Sequence, residues 1–154
     1  MGNGADSQPR IVVGVDGSDA SRDALQWAAG QAELLRGRLD VVMTWELPTS
    51  YGWVTPYPEG FDPEADTRRQ LEETVAPVRA AHPDLDVHTR VIEGHPAPVL
   101  LDTARDADLL VVGSRGHGAF AGMLLGSVSE HCVSHSPCPV VVERHSTANA
   151  AAAS

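Results

Sequence analysis

Apolar and polar positions alternate in blocks along the chain, and the blocks have two periods. Ile11-Val12-Val13-Gly14-Val15 is an unbroken, largely β-branched run, which predicts a strand buried on both faces. A second such run lies within Leu39 to Trp45, a fourth at Leu109-Leu110-Val111-Val112 and a last at Val140-Val141-Val142. Between the second and the fourth, Leu85, Val87, Thr89 and Val91 alternate with Asp86, His88 and Arg90. That period of two predicts a half-exposed edge strand.

Helical periods fill the gaps. Ser18 is placed to cap a helix whose stripe is Ala20, Ala24, Trp27, Ala28 and Leu35, with Trp27 in the core and Gly37 as the stop. Asp62-Pro63-Glu64 combines a cap, a proline at the first helical position and an acid in the first turn. Leu71, Val75, Val78 and His82 continue that helix, and Pro77 is expected to kink or shorten it. A third helix falls within Gly94 to Asp106, with Pro96 and Pro98 near its start and Val99, Leu100 and Ala104 inward. A fourth follows Ser127, runs to about His135 and stops before Pro137.

The order βαβαβαβαβ implies an α/β fold: a parallel five-stranded sheet with right-handed crossovers, sandwiched between helices in three layers. An edge position for strand three fits the Rossmann-like order 3-2-1-4-5. Strands one and four are then central neighbours, which brings Asp16 beside Gly113. Residues 10–144 form the single expected domain. The small polar stretch 1–9 and the Ala-rich tail 145–154 are expected to be disordered. Glu46 to Phe61, ELPTSYGWVTPYPEGF, is long for a βα connection. Its Tyr51, Trp53 and Tyr57 are read either as a cover for a bound base or a partner contact, or as surface aromatics packed on their own scaffold.

Composition narrows the chemistry. The formal net charge of −10 argues against a nucleic-acid backbone or an anionic membrane as the partner. No apolar run is long enough to span a bilayer, and the first residues lack the apolar core of a signal peptide, so a cytoplasmic setting is expected. All 11 basic residues are arginine. Without lysine there is no Walker P-loop, no kinase-type phosphate lysine and no Schiff base. Cys132 and Cys138 are too few for a disulfide framework and read as buried free thiols. His131 and His135 stand four apart on one helix, a spacing that binds Zn²⁺ in some proteins, but H-E-x-x-H is absent and no metal is expected at that pair. His117 reads as a solvated loop residue. G-x-S-x-G is absent too, and no carboxylate pair is placed as acid and base, so no catalytic residue is assigned.

The chemistry concentrates in Gly113 to Ser129, GSRGHGAFAGMLLGSVS. A strand that ends in glycines and leads into a helix start is a device for holding phosphate on backbone N–H groups. Ser127-Val128-Ser129-Glu130 fits a capping box with Ser127 as the cap. Ser127 and Ser129 offer hydroxyls and Arg115 a guanidinium. The spacing is Gly113, two residues, Gly116, nine residues, Gly126-Ser127. In that motif, in Val15-Asp16-Gly17-Ser18, in Gly94-His95-Pro96-Ala97 and in Cys138-Pro139-Val140-Val141-Val142, the chain resembles the universal stress protein family from about Arg10 to Glu143, and within it the ATP-binding members.

The resemblance implies a fold like that of the adenine nucleotide alpha hydrolases and an ATP site between strands one and four. The backbone near Thr44 would read the adenine edge. Asp16 would lie near adenine, ribose or metal, working through Mg²⁺ or a hydroxyl. Gly113, Gly116, Gly126, Ser127 and Ser129 would hold ribose and phosphates, with Val15, Val112, Arg115 and Val128 alongside. It further implies a homodimer, for which the apolar strand Val140 to Val142 at a sheet edge is suited, and a nucleotide-responsive regulatory role toward a protein partner. The alternative is a slow ATPase or nucleotidyl-transfer enzyme, although Val15 to Asp19 only faintly echoes the S-G-G-x-D-S loop of adenylating relatives.

Overall fold

The computed structural model describes residues 8–47, 57–116 and 124–144. Five parallel strands, β1 (Arg10–Gly14), β2 (Arg38–Trp45), β3 (Asp86–Glu93), β4 (Leu109–Gly113) and β5 (Val140–Glu143), form one sheet in the order β3-β2-β1-β4-β5. The helices are α1 (Asp19–Leu34), α2 (Pro63–Ala81), α3 (Pro96–Thr103) and α4 (Ser127–His135), with a 3₁₀ turn at Ala104–Asp106 after α3.

The unbroken apolar runs are central because both of their faces are covered. Ile11, Val13, Leu39, Val41, Met43 and Val111 pack against Ala24, Leu25, Ala28 and Ala32 of α1 and Leu71, Val75 and Val78 of α2. Val12, Val42, Leu110 and Val112 face the other way, onto Leu100 of α3, Ala104 just after it and Cys132 of α4. The chain therefore lays α1 and α2 on one face and α3 and α4 on the other. The winding direction switches between β1 and β4, and in open α/β sheets ligands bind at such a switch, beyond the carboxyl ends of the strands. Strand β3 is an edge, with alternating exposure along its length.

Several local details depart from the pattern read off the chain. Helix α1 ends at Leu34, and the left-handed residue that turns the chain is Arg36, at φ 54°, not Gly37. Gly37 is required for closeness instead: a Cβ there would stand 2.6 Å from the carbonyl oxygen of Pro9. Leu35 is 52% exposed and lies off the helix's buried stripe. Pro77 neither ends nor shortens α2, which continues to Ala81. Both Pro77 and Glu73, whose carbonyl loses its helical donor, lie on the exposed side, where water replaces the missing N–H. Cys132 is fully buried, and burial pushes its thiol up to about 11, as suits an unreactive core residue.

One charged cluster lies in the sheet. Asp40 of β2 is fully buried. Arg10 Nε donates to its Oδ2 at 2.5 Å, and Arg38 Nε donates to its Oδ1 at 2.7 Å. Arg10 Nη1 also donates to the Thr103 carbonyl at 3.0 Å, tying β1 to the end of α3. Among the described residues, no helix is long and apolar enough to cross a membrane.

Candidate functional site

At the switch point the structure has a cavity of about 460 Å³. All eleven residues expected at a nucleotide site line it: Val15 and Asp16 after β1, Thr44 on β2, Val112 and Gly113 on β4, Arg115 and Gly116 beyond it, and Gly126, Ser127, Val128 and Ser129 at the start of α4. The sequence reading missed a further set. Gly14, Val42, Met43, Trp45 and Glu46 flank predicted residues on the same strand ends. Ser21, Pro96 and Leu100 come from α1 and α3, and Thr67 and Gln70 from α2. The strand neighbours were findable because the cavity lies beyond the strand ends, where consecutive residues border it whichever face they point to. The α2 pair carries no signal in the chain, because only the fold brings that helix to the rim.

The turn between β1 and α1 is built by short-range bonds. Gly17 takes φ 85°, a left-handed value that favours glycine. Asp16 Oδ1 accepts from the Ser18 N–H at 2.9 Å, and the Asp16 N–H donates to Ser21 Oγ at 3.3 Å. Ser18 caps α1 as expected, its Oγ accepting from the Ser21 N–H at 3.2 Å. The half-buried Asp16 carboxylate is thereby aimed across the crevice at the glycine loop. Its Oδ2 lies 2.4 Å from where a Cβ of Gly116 would stand, so any side chain at 116 would collide with it.

The glycine loop is closed at its neck. The Gly126 N–H donates to the Ser114 carbonyl at 2.7 Å. Ser129 Oγ lies 2.8 Å from the same carbonyl and 3.0 Å from that of Gly126. Ser129 is 2% exposed, and its hydroxyl is engaged with the loop's own backbone. The expected capping box is not formed. Gly126 is the N-cap, Ser127 is the first helical residue, and no side chain caps the helix. The S-x-x-E pattern lies one position too late, because the bond between Gly126 and Ser114 has already set the cap. The first N–H groups of α4 thus keep no intrahelical acceptor, and the positive end of its dipole opens on the cavity. Exposed Ser127 and the half-buried Arg115 stand at that end.

At the opposite end, Glu46 Oε1 pairs with His95 Nδ1 at 3.0 Å just outside Pro96. Tyr57 stacks on Phe61 with centroids 4.8 Å apart, before α2, in the manner of surface aromatics packed on each other. Tyr51, Trp53 and His117 lie outside the described residues. His131 and His135 stack at 4.5 Å on the exposed side of α4. Among the described residues, no group of three or more His, Cys, Asp or Glu is arranged to hold a metal ion. The cavity therefore offers a donor-rich end and a mixed apolar and polar far end, joined by the half-buried Asp16.

The sequence profile of the universal stress protein family matches residues 9–144. The chain belongs to the universal stress protein family. It is 37% identical over 140 residues to a universal stress protein of Mycolicibacterium smegmatis, covering 90% of this chain and 47% of that one. To one from Mycobacterium tuberculosis it is 36% identical over 139 residues, covering 86% and 46%. This universal stress protein chain thus spans about half the length of the curated relatives it matches. Among solved structures, a universal stress protein in complex with cAMP superposes with a TM-score of 0.69 at 30% identity, covering 91% of this chain and 99% of that one. One from Archaeoglobus fulgidus in complex with dAMP gives 0.64 at 23% identity, covering 88% and 97%, a likeness of fold. The sheet order and flanking helices are those expected of this family.

Proposed function

We propose that this universal stress protein domain binds ATP with Mg²⁺ and acts as a nucleotide-responsive regulatory module, not as an enzyme. The observation that carries the reading is the meeting of the uncapped N-terminus of α4, the glycine loop and Arg115 at one end of a cavity that also takes in the carboxyl ends of β1 and β2. Backbone N–H groups at a helix start suit phosphate oxygens. The cavity's volume of about 460 Å³ falls in the range of small-molecule sites. Asp16 requires a cation or a hydroxyl between its carboxylate and any polyphosphate, which is the role assigned to Mg²⁺ or the ribose. Bound nucleotide would order the segments around the crevice and shift a partner-facing surface, by binding one state better than another. A cytoplasmic setting and a protein partner complete the reading.

The test uses Ser127→Asp. An acid at the first helical position favours the helix dipole but repels phosphate. Ser127 is exposed, so the variant should melt at or above the wild-type temperature. Calorimetry should show Mg·ATP binding to the wild type and at least about tenfold weaker binding to the variant. Equal affinities would overturn the assignment of this end to phosphate.

We also propose pairing with a second copy along β5. This four-residue strand is a sheet edge whose residues are all half-buried, and its outer backbone groups suit a further strand. Sedimentation at micromolar concentration should give twice the chain mass; a monomer throughout would overturn the pairing.

A further inference from the structure

The cavity is chemically asymmetric along its length. The helix start, the glycine loop and Arg115 occupy the β4 end. The β2 end is formed by Thr44, Trp45 and Glu46, faced by Thr67 and Gln70 across the rim. Thr67 and Gln70 are three apart in α2, so they share one face of that helix. Thr67 Oγ1 donates to the Pro63 carbonyl at 2.6 Å and is occupied within the helix. Gln70 is different: it is exposed, it lines the cavity, and among the described residues its carboxamide makes no hydrogen bond within the protein. Met43, Val42, Pro96 and Leu100 add apolar surface to the cavity, suited to the faces of a planar ring.

We infer that Gln70 is the residue that selects adenine at this site. The inference rests on the nucleotide reading above: with phosphates at α4, the base lies toward β2 and α2. A carboxamide matches adenine in two places at once. Its oxygen accepts from the exocyclic N6 amine while its NH₂ donates to N7. Hypoxanthine and guanine carry an oxygen at position 6, so one acceptor would face another and only a single bond survives. The backbone near Thr44 is left for the opposite edge of the ring. Gln70 is a specificity residue and plays no part in holding phosphate.

The experiment compares ATP, ITP and 7-deaza-ATP, each with Mg²⁺, by calorimetry on wild type and Gln70→Ala. The wild type should prefer ATP to each of the others by at least about fivefold. Gln70→Ala should weaken ATP by at least about fivefold, reduce its preference over ITP and bring ATP and 7-deaza-ATP within about twofold of one another, with an unchanged melting temperature. Ser127→Asp should weaken all three equally. A Gln70→Ala protein that keeps the wild-type ratio of ATP to ITP overturns the inference and leaves the phosphate site standing. A wild type that binds none of the three at millimolar concentration overturns the nucleotide reading, and with it the role of Gln70.

Discussion

Gly113→Val should destabilise the protein by about 3 kcal/mol, and lower its melting temperature by about 6 °C or more, whether or not any ligand is present. A Cβ at this position would stand 2.9 Å from the backbone carbon of Ala20, 3.0 Å from its oxygen and 3.2 Å from its Cβ. Neither side can give way cheaply. Gly113 ends β4, one of the sheet's interior strands, and Ala20 lies in the first turn of α1, whose start Ser18 fixes. The added side chain must lift α1 off the sheet and loosen the packing of Ala24, Leu25 and Ala28 on it. Two other glycines supply the contrast. At Gly126 the nearest atoms are 3.4 Å away or more, an ordinary contact, so Gly126→Ala should fold. Gly30 lies within α1 with nothing inside 4 Å, so Gly30→Ala should stabilise by about 0.5–1 kcal/mol. Thermal melts of the three variants check the set. A Gly113→Val protein that melts with the wild type would mean that α1 yields easily, and that this glycine serves only the cavity.

The glycine motif was legible as part of a crevice, and it does line the cavity, but the reasons for its glycines were not legible. Read along the chain, Gly113, Gly116 and Gly126 all look like room left for a ligand. In the fold, Gly113 admits α1 and Gly116 admits the Asp16 carboxylate, contacts with residues about 100 positions away in the chain that no local pattern encodes. The strands were legible for a plain reason: a strand buried on both faces is apolar along its buried length, as Ile11 to Val13 of β1 and Leu110 to Val112 of β4 are. The order followed from β3, whose alternation marks a strand with one wet face. Helix ends were less legible. Arg36 takes the left-handed turn one residue before a glycine, because Gly37 is held against Pro9. Thr67 and Gln70 were invisible as site residues, since a polar helix face reads the same whether it meets water or a crevice. Asp40 was hidden in the same way, as one acid inside an apolar run.

Asp40→Asn should destabilise the protein by about 3 kcal/mol at pH 7, and the loss should shrink as the solution is made acid. Asp40 is fully buried, and the side chains of Arg10 and Arg38 are 19% and 38% exposed. Burial alone would push the Asp40 carboxyl up. The hydrogen bonds and charges of Arg38 and Arg10 outweigh it and leave the group below its ordinary value, while Arg38 is raised. A carboxylate whose pKa is lower folded than unfolded stabilises the fold above its unfolded value, about pH 4, and that stability is lost as pH falls through the folded value. An asparagine has the same shape as the protonated acid but no charge for the two guanidiniums, so it removes the acid-sensitive part at every pH. The quantity to follow is the difference in unfolding free energy between variant and wild type, from urea titrations at pH 7 and at steps below pH 4. Taking the difference cancels the other carboxylates, which titrate alike in both proteins. Asp102→Asn, at an exposed carboxylate paired with Arg105, is the control and should stay within about 0.5 kcal/mol of wild type. A difference for Asp40→Asn that holds constant down to pH 2, or that never exceeds the control, would mean that the arginines do not hold Asp40 as an anion. The cluster would then join β1, β2 and the end of α3 by packing alone.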